Sequence, residues 1–406
     1  MANMNIIDDF IYKITNTWRN YGLMDGLYIG RTLYIMCLRK MIESNACQNP
    51  AYMSQLVEVT KSVFRPTSME DVDVLVKNAV LLEETYHLNS GRISGVLFPP
   101  NIEDNTWKKA FLETIQIMSE ITFDEEGYYP YAGNLIYSLN KQVKMGTEYV
   151  SSNAIADLLT LASDVKDGDR VLDGTVGCGY SAMKCLEGKK DIFFLGVDVN
   201  RSSLAIAAMY AILAEVKEYE FMSDDFAAIK TPVLMATAID SLGEKGRFVV
   251  IVPPNFLFKQ TKSLSVFREK IVKKGLLKAV VSLPPVHASS SVRSSMLVIE
   301  KTNNDVLFVD ATSLIQRERR NDAYISKENK DLLKDILENK KEVKGVSFLV
   351  PDTKVLEVGD WTFTQYLENE DTEQVRSLKD INTELKQAYA LLNELDKKEK
   401  KIELFK

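Results

Sequence analysis

The sequence predicts an α/β protein with a helical region before the sheet and a helical tail after it. From about residue 146 onward, short apolar runs alternate with helical patterns, which is typical of a sheet of parallel strands. Before about residue 130, apolar residues such as Leu23, Leu27 and Leu33 recur at helical spacing. We therefore expect a helical domain over 1–135, an α/β domain over 136–315 and a helical tail over 316–406.

Composition narrows the class of protein. The chain has 406 residues, of which 46% are hydrophobic and 26% charged, enough for a large core and too apolar for a disordered chain. No stretch approaches eighteen consecutive apolar residues, so no membrane-spanning helix is predicted. The segment after Met1 is acidic and does not resemble a secretory signal, and we expect a cytoplasmic protein. Four cysteines and two histidines lack the spacing of a zinc site.

The net charge of -7 gives no global positive field. Binding to nucleic acid must then come from local basic patches or from a second subunit.

Six apolar runs are predicted as strands of the sheet. Helical patterns separate most of them, as parallel pairing requires. The runs are 170–173, 192–198, 221–224, 248–252, 279–283 and 296–299.

The tail carries a regular apolar pattern. Its apolar positions follow steps that alternate between three and four residues, with lysine and glutamate between them, which predicts a coiled-coil seam. The seam could pack on the body of this chain or on a helix of a partner. Its members are Leu378, Ile381, Leu385, Ala388, Leu392 and Leu395.

A glycine-rich loop joins the first predicted strand to a helix. Residues 173–179 read DGTVGCG, and glycine lets the backbone turn tightly and lets a ligand approach the helix N-terminus. Asp198 ends the second predicted strand, where an acidic side chain can accept hydrogen bonds from ribose hydroxyls. The pattern predicts a cofactor that contains a nucleoside.

Three interpretations of this loop compete. Residues 177–182 match the G-x-G-x-x-A fingerprint of dinucleotide-binding proteins. S-adenosylmethionine is favoured instead by acidic strand ends: Asp173 can face a cationic methionine moiety, and Asp224 or Asp225 can accept from the adenine amine. The third interpretation is a structural turn that binds no cofactor.

Several motifs resemble the N6-adenine DNA methylase family. Residues 146–150, GTEYV, and 173–179 resemble the motifs G-x-x-Y-T-P and D-P-A-C-G-S-G of its type I modification subunits. Residues 246–258, GRFVVIVPPNFLF, are similar to its G-R-x-x-x-V-x-P-x-G-x-L-F block. Residues 294–301, SSMLVIEK, are similar to its T-x-I-L-V-L-x-K block. The resemblance covers about residues 140–315 and continues weakly into 359–367.

The resemblance implies a Rossmann-like S-adenosylmethionine-dependent methyltransferase core with an N-terminal helical domain and a C-terminal helical, coiled-coil tail. It implies restriction–modification chemistry, in which a separate specificity subunit reads DNA and clamps the methylating subunits through helices. DNA would then be bound mainly through partners, and a homo-oligomer is also compatible. The predicted cofactor-binding residues are Tyr149, Asp173, Gly174, Gly177, Gly179, Asp198, Asp224 and Asp225.

The motif that activates the target amine is missing. Adenine N6 is a poor nucleophile, so an enzyme must accept hydrogen bonds from the amine as it attacks the methyl sulfonium. The family does this with N-P-P-F/Y, whose aromatic ring stacks on the flipped base. Residues 225–246 contain one proline and no asparagine, and no aromatic residue follows that proline. We therefore predict that the strand bearing this motif is shortened or lost.

A Pro-Pro pair occurs later, at Pro253 and Pro254. Val252 would stand where the family has its accepting asparagine, and valine has no acceptor, so a strand-ending turn is the simpler interpretation. Asn255 and Phe256 remain catalytic candidates, because they follow a strand on the cofactor side of the sheet.

Two functions follow. The first is an N6-adenine methylase homologue that binds S-adenosylmethionine and is degenerate in catalysis. The alternative is a non-catalytic protein-interaction or DNA-associated regulatory module on the same scaffold.

Overall fold

The computed structural model describes residues 2–24, 26–44, 69–98, 105–123, 127–139, 150–224, 231–286, 292–317 and 323–367. Met1–Thr362 form one compact unit, and Phe363–Lys406 form a second. Within the described part of the second unit, Phe363–Gln365 form a 3-10 turn. The predicted coiled-coil seam lies outside the described residues. The predicted domain boundaries remain predictions.

The chain begins with helices, as predicted. Helix α2 is apolar on nearly all sides because it lies between the other N-terminal helices and a helix of the α/β part. The six described helices of this part are α1 (Ala2–Asn20), α2 (Leu27–Glu43), α3 (Met69–Thr85), α4 (Ser94–Leu97), α5 (Thr106–Ser119) and α6 (Tyr129–Tyr137).

Strands and helices then alternate. The elements from α7 to β5 are α7 (Asn153–Ser163), β1 (Arg170–Asp173), α8 (Tyr180–Leu186), β2 (Phe193–Asp198), α9 (Arg201–Leu213), β3 (Glu218–Ser223), α10 (Thr231–Asp240), β4 (Arg247–Val252), α11 (Asn255–Phe258), α12 (Lys262–Lys273) and β5 (Leu277–Leu283). They are followed by β6 (Ser294–Glu300), β7 (Asp305–Asp310), β8 (Ile315–Arg317), β9 (Ala323–Ile325), α13 (Lys327–Asn339), β10 (Ser347–Pro351) and α14 (Asp352–Val358).

The first sheet is parallel, with the order β1-β2-β3. Helix α9 connects β2 to β3 and packs on both strands. It begins at Asn200, whose side chain accepts hydrogen bonds from the backbone N–H groups of Ser202 and Ser203. Its alanine-rich body is buried throughout, which lets the helix approach the strands closely.

The second sheet is mixed, with the order β10-β7-β5-β6-β4. Strand β5 is parallel to β7, whereas β6 is antiparallel to both β4 and β5. The prediction of an entirely parallel sheet is therefore wrong for this half. All six predicted strands are present, and β3 begins three residues before the predicted run at 221. Strands β7 to β10 were not predicted.

Among the described residues, the buried core consists of two separate apolar clusters. One contains the N-terminal helices, β1 to β3, α8 and α9. The other contains α7, the strands of the mixed sheet and α13. Leu159 of α7 is half-buried and packs against both clusters, so α7 contacts both parts of the described core.

No helix among the described ranges is both long enough and apolar enough to span a bilayer.

Candidate functional site

The glycine loop after β1 is held in one conformation by its backbone. Gly177 and Gly179 have φ angles of +52° and +80°, a region that residues with a Cβ rarely adopt. A Cβ on Gly179 would lie 3.2 Å from the Cβ of Ala207, so this glycine also permits close packing against α9. The N–H of Val176 donates to the carbonyl of Val197 at 2.9 Å, which ties the loop to β2.

Asp198, the last residue of β2, organises the loop with its side chain. Its Oδ2 accepts a hydrogen bond from the N–H of Gly177 at 2.9 Å, and its Oδ1 accepts from the N–H of Asn200 at 2.9 Å. Because each carboxylate oxygen carries two lone pairs, Asp198 retains acceptor capacity for two ligand hydroxyls.

Asp173, the last residue of β1, lies half-buried in the same region. Its Oδ1 accepts a hydrogen bond from the N–H of Thr175 at 3.0 Å. Desolvation raises the pKa of this carboxyl above its ordinary value, the hydrogen bond from Thr175 opposes the rise, and the nearby Asp198 adds to it. The hydrogen bond from Thr175 thus stabilises the ionised form of Asp173 less than desolvation and Asp198 destabilise it, so a bound cation would stabilise this form.

Strand β3 ends beside these groups. Its Ser223 pairs in register with Asp198, and the N–H of the exposed Asp224 donates to the carbonyl of Asp198 at 3.2 Å. The structure thus brings the predicted residues Asp173, Gly174, Gly177, Gly179, Asp198 and Asp224 to one edge of the parallel sheet. Tyr149 and Asp225 lie outside the described residues.

The space at this edge suits a nucleoside with a cationic group. A Cβ built on Gly174 or on Gly177 meets no atom within 4 Å, so both glycines border open space. The carboxylates of Asp173, Asp198 and Asp224 belong to the same edge of the sheet, and backbone close to a glycine can be approached by a ligand. The residues present therefore fit S-adenosylmethionine, whose sulfonium is positive and whose ribose and adenine carry hydrogen-bond donors.

Two positioning residues escaped the sequence analysis. Asn200 caps α9 and, through its N–H, holds one oxygen of Asp198. Tyr180, the first residue of α8, donates its hydroxyl hydrogen to Oδ1 of Asn153 at 2.5 Å, which fixes the loop to the start of α7. An asparagine directly after a strand and before a helical pattern is an N-cap signal that could have identified Asn200.

The turn after β4 differs from the prediction at one residue. Phe256 is only 4% exposed, and its ring centroid lies 6.0 Å from that of Phe267 on α12. The buried guanidinium of Arg268 donates to the carbonyls of Phe256 and Lys259 and pins the turn. Phe256 is therefore a core residue here and cannot stack on a base in this conformation, whereas Phe258 is 48% exposed. Asn255 is exposed at the start of α11.

No cluster of three potential metal ligands occurs within the part of the chain that the structure describes.

Comparison with known families finds one match to the sequence. Residues 222–374 match the family model described as N-6 DNA Methylase, a region that begins after the glycine loop. The match confirms the resemblance to the N6-adenine DNA methylase family that the motifs predicted.

Comparison with solved structures finds the same overall fold in type I systems. The type I restriction-modification methyltransferase subunit from Streptococcus thermophilus is 11% identical, with a TM-score of 0.73 over 90% of this chain and 99% of that one. A structure described as a modification subunit of a type I restriction enzyme from Vibrio vulnificus YJ016 is 12% identical, with a TM-score of 0.63 over 91% and 98%. A chain from a study of type I complex assembly is 13% identical, with a TM-score of 0.62 over 98% and 99%. These likenesses establish an α/β methyltransferase-like fold.

Proposed function

Starting from its likeness to type I modification subunits, we propose that this chain is an N6-adenine DNA methylase homologue that binds S-adenosylmethionine and does not transfer the methyl group by itself. One observation carries the cofactor part of the proposal. Three acidic strand ends and two open glycines lie together at the carboxyl edge of β1, β2 and β3.

Each of these groups has a role that its chemistry supports. Asp198 would accept hydrogen bonds from the ribose hydroxyls, since it keeps unused lone pairs while holding Gly177. Asp173 would face the positive methionine moiety, and Asp224 would accept from the adenine amine. When bound, S-adenosylmethionine supplies an electrophilic methyl group.

The lack of catalysis follows from the segment between β3 and β4. Residues 225–246 contain no asparagine, and their described portion begins with a helix, α10, where the family motif would need a strand. Strand β4 ends in the buried Val252, which offers no side-chain acceptor. Without acceptors for its protons, an adenine amine at this edge would remain a poor nucleophile.

We further propose that this chain works with a specificity-type subunit through its C-terminal helix. The solved structures it resembles are subunits of type I systems. Its net charge of -7 fits a protein that reaches DNA mainly through a partner.

Isothermal titration of the full chain with S-adenosylmethionine tests cofactor binding. We expect saturable binding, which Asp198→Asn weakens about 10-fold or more because a charge-assisted acceptor is lost. Asp191→Asn is the matched control, since it makes the same chemical change at an exposed residue before β2. Absence of binding to the unmodified chain would refute this part of the proposal.

A tritium-methyl transfer assay on adenine-containing DNA tests catalysis. We expect no incorporation with this chain alone, because the amine acceptors are missing. Incorporation that Asp173→Ala abolishes would show that the chain is an active methyltransferase and would contradict the proposal.

A further inference from the structure

The outer face of helix α12 carries a stripe of lysines. At 3.6 residues per turn, Lys262, Lys270 and Lys273 share one side of the helix. Lys274 directly follows the helix, and Lys259 lies in the turn before it. All five side chains belong to exposed residues, and together they are called the lysine stripe below.

The opposite face of α12 fixes the helix in place. Phe267 and Ile271 are buried, and α12 packs against α10 and α14. Arg268, the remaining basic residue of the helix, is turned inward and donates hydrogen bonds to the carbonyls of Phe256 and Lys259. The lysine stripe is therefore presented by an anchored element of the fold.

Little negative charge neutralises the lysine stripe. Glu269 is the single acidic residue of α12 and pairs with Lys273. No other lysine of the stripe forms an ion pair with a residue that the structure describes. Helix α13 has the mixed charges of an ordinary solvated helix, with four acidic residues among its lysines and an ion pair between Lys334 and Glu338. The stripe is thus a local positive surface on a chain whose net charge is -7.

The lysine stripe has a defined length. The helix rises by about 18 Å between Lys262 and Lys274. One strand of DNA carries a phosphate for about every 3.4 Å of helix axis, so about five phosphates fit along the stripe. Past Lys274, a cavity is lined by Asp240 and Glu244 as well as by Lys301, and there the positive surface ends.

We propose that the lysine stripe binds the phosphate backbone of nucleic acid directly and independently of base sequence. The ammonium group of lysine is a compact charge with three hydrogen-bond donors, which suits phosphate oxygens. The density of its five charges matches that of the phosphates on one strand, and this match favours nucleic acid over an acidic protein. The stripe includes no predicted cofactor-binding residue, and the proposal does not depend on cofactor binding.

Fluorescence anisotropy of the full chain with a labelled duplex DNA of about 20 base pairs tests the proposal. We expect saturable binding in about 50 mM salt, although the net charge of the chain repels DNA. The logarithm of the binding constant should fall with the logarithm of the salt concentration with a slope of about -4, because bound phosphates release their counterions. No saturable binding, or a slope near zero, would overturn the proposal.

Two double variants with the same change in net charge locate the surface. Lys262→Gln with Lys270→Gln should weaken binding of the duplex about 10-fold or more and make the salt slope shallower by about two. Lys327→Gln with Lys334→Gln, at exposed positions of α13, should change the affinity less than about twofold. Equal weakening by both double variants, or by neither, would refute the assignment to α12.

Competition distinguishes nucleic acid from an acidic protein. Unlabelled duplex should displace the labelled duplex at a much lower concentration of negative charge than polyglutamate does. Equal displacement per charge would show that the surface takes any acidic polymer and would contradict the proposal. Circular dichroism checks that each variant is folded. These titrations contain no S-adenosylmethionine, so failure of the cofactor proposal would leave their outcome unchanged.

Discussion

Asp173, which we propose to face the cofactor, has an ionised form that is unfavourable for the folded state. The pKa of its carboxyl is raised above 3.8 by desolvation, and the charge of Asp198 adds to the rise. For an acid whose pKa is higher in the folded than in the unfolded chain, ionisation destabilises the fold. The penalty is complete above the folded pKa and disappears as the pH falls below the unfolded one.

Asp173→Asn should therefore raise the thermal midpoint of the cofactor-free protein at pH 7, because it removes that charge and keeps an acceptor for Thr175. The gain should shrink as the pH falls through the folded pKa toward 4, as followed by circular dichroism. The same variant should bind S-adenosylmethionine more weakly. A lower midpoint at pH 7, or a gain independent of pH, would contradict the assignment.

Arg268 is the residue whose loss should disturb the turn after β4 most. Its buried guanidinium donates to the carbonyls of Phe256 and Lys259, so Arg268→Ala leaves two acceptors and removes a packed side chain. We expect a loss of about 2–4 kcal/mol in the free energy of unfolding, measured by urea denaturation. Lys270→Ala, at an exposed position of the same helix, should change it by less than about 0.5 kcal/mol. Similar effects of both variants would show that Arg268 is not an anchor.

The predicted residues lie together where a motif fixes local geometry, and they lie apart from the predicted arrangement where a contact distant in sequence decides. Gly177, Gly179 and Asp198 converge because a strand–loop–helix connection and the end of a neighbouring parallel strand must meet. Phe256 was a candidate to face a ligand, but Phe267 and Arg268 on the following helix draw its ring and carbonyl inward. A single-sequence pattern does not report that contact.

At the scale of elements, α7 is fixed by one buried carboxylate. Asp157 forms ion pairs of 2.8 Å with Lys184 on α8 and with Lys330 on α13. Asp157→Ala should cost about 1–3 kcal/mol of unfolding free energy, less than a fully buried pair because both ammonium groups can reach water. The exposed Asp331→Ala on α13 is the control and should have little effect in the same urea titration. An equal effect of the control would show that the ion pairs of Asp157 do not anchor α7.

The strands show what apolar runs can and cannot predict. The six predicted runs were recovered because each is bounded by turns and most are separated by helical patterns. Strand β7 follows β6 after only four residues, and β8 and β9 have three residues each, too few for a periodic signal. The antiparallel direction of β6 could not be predicted either, because an apolar run carries no information about strand direction.

At the scale of the whole molecule, the divided core predicts unfolding in two steps. Leu33 belongs to the cluster of the N-terminal helices, and Leu333 belongs to the cluster of the mixed sheet; both are fully buried. Scanning calorimetry should resolve two transitions. Leu33→Ala should lower the midpoint of one transition and Leu333→Ala that of the other. Each substitution should reduce the free energy of unfolding of its own cluster by about 2–5 kcal/mol. A single transition that both variants lower equally would show that α7 couples the clusters into one cooperative unit.

Strand β4, which pairs with β6 alone among the described strands, also has a consequence for handling the protein. Its interior reads FVVIV, which is rich in β-branched residues and has no charge or proline, and fibrillar aggregates nucleate from segments of this kind. Concentrated preparations of the isolated chain should therefore lose solubility slowly, with growth of thioflavin fluorescence.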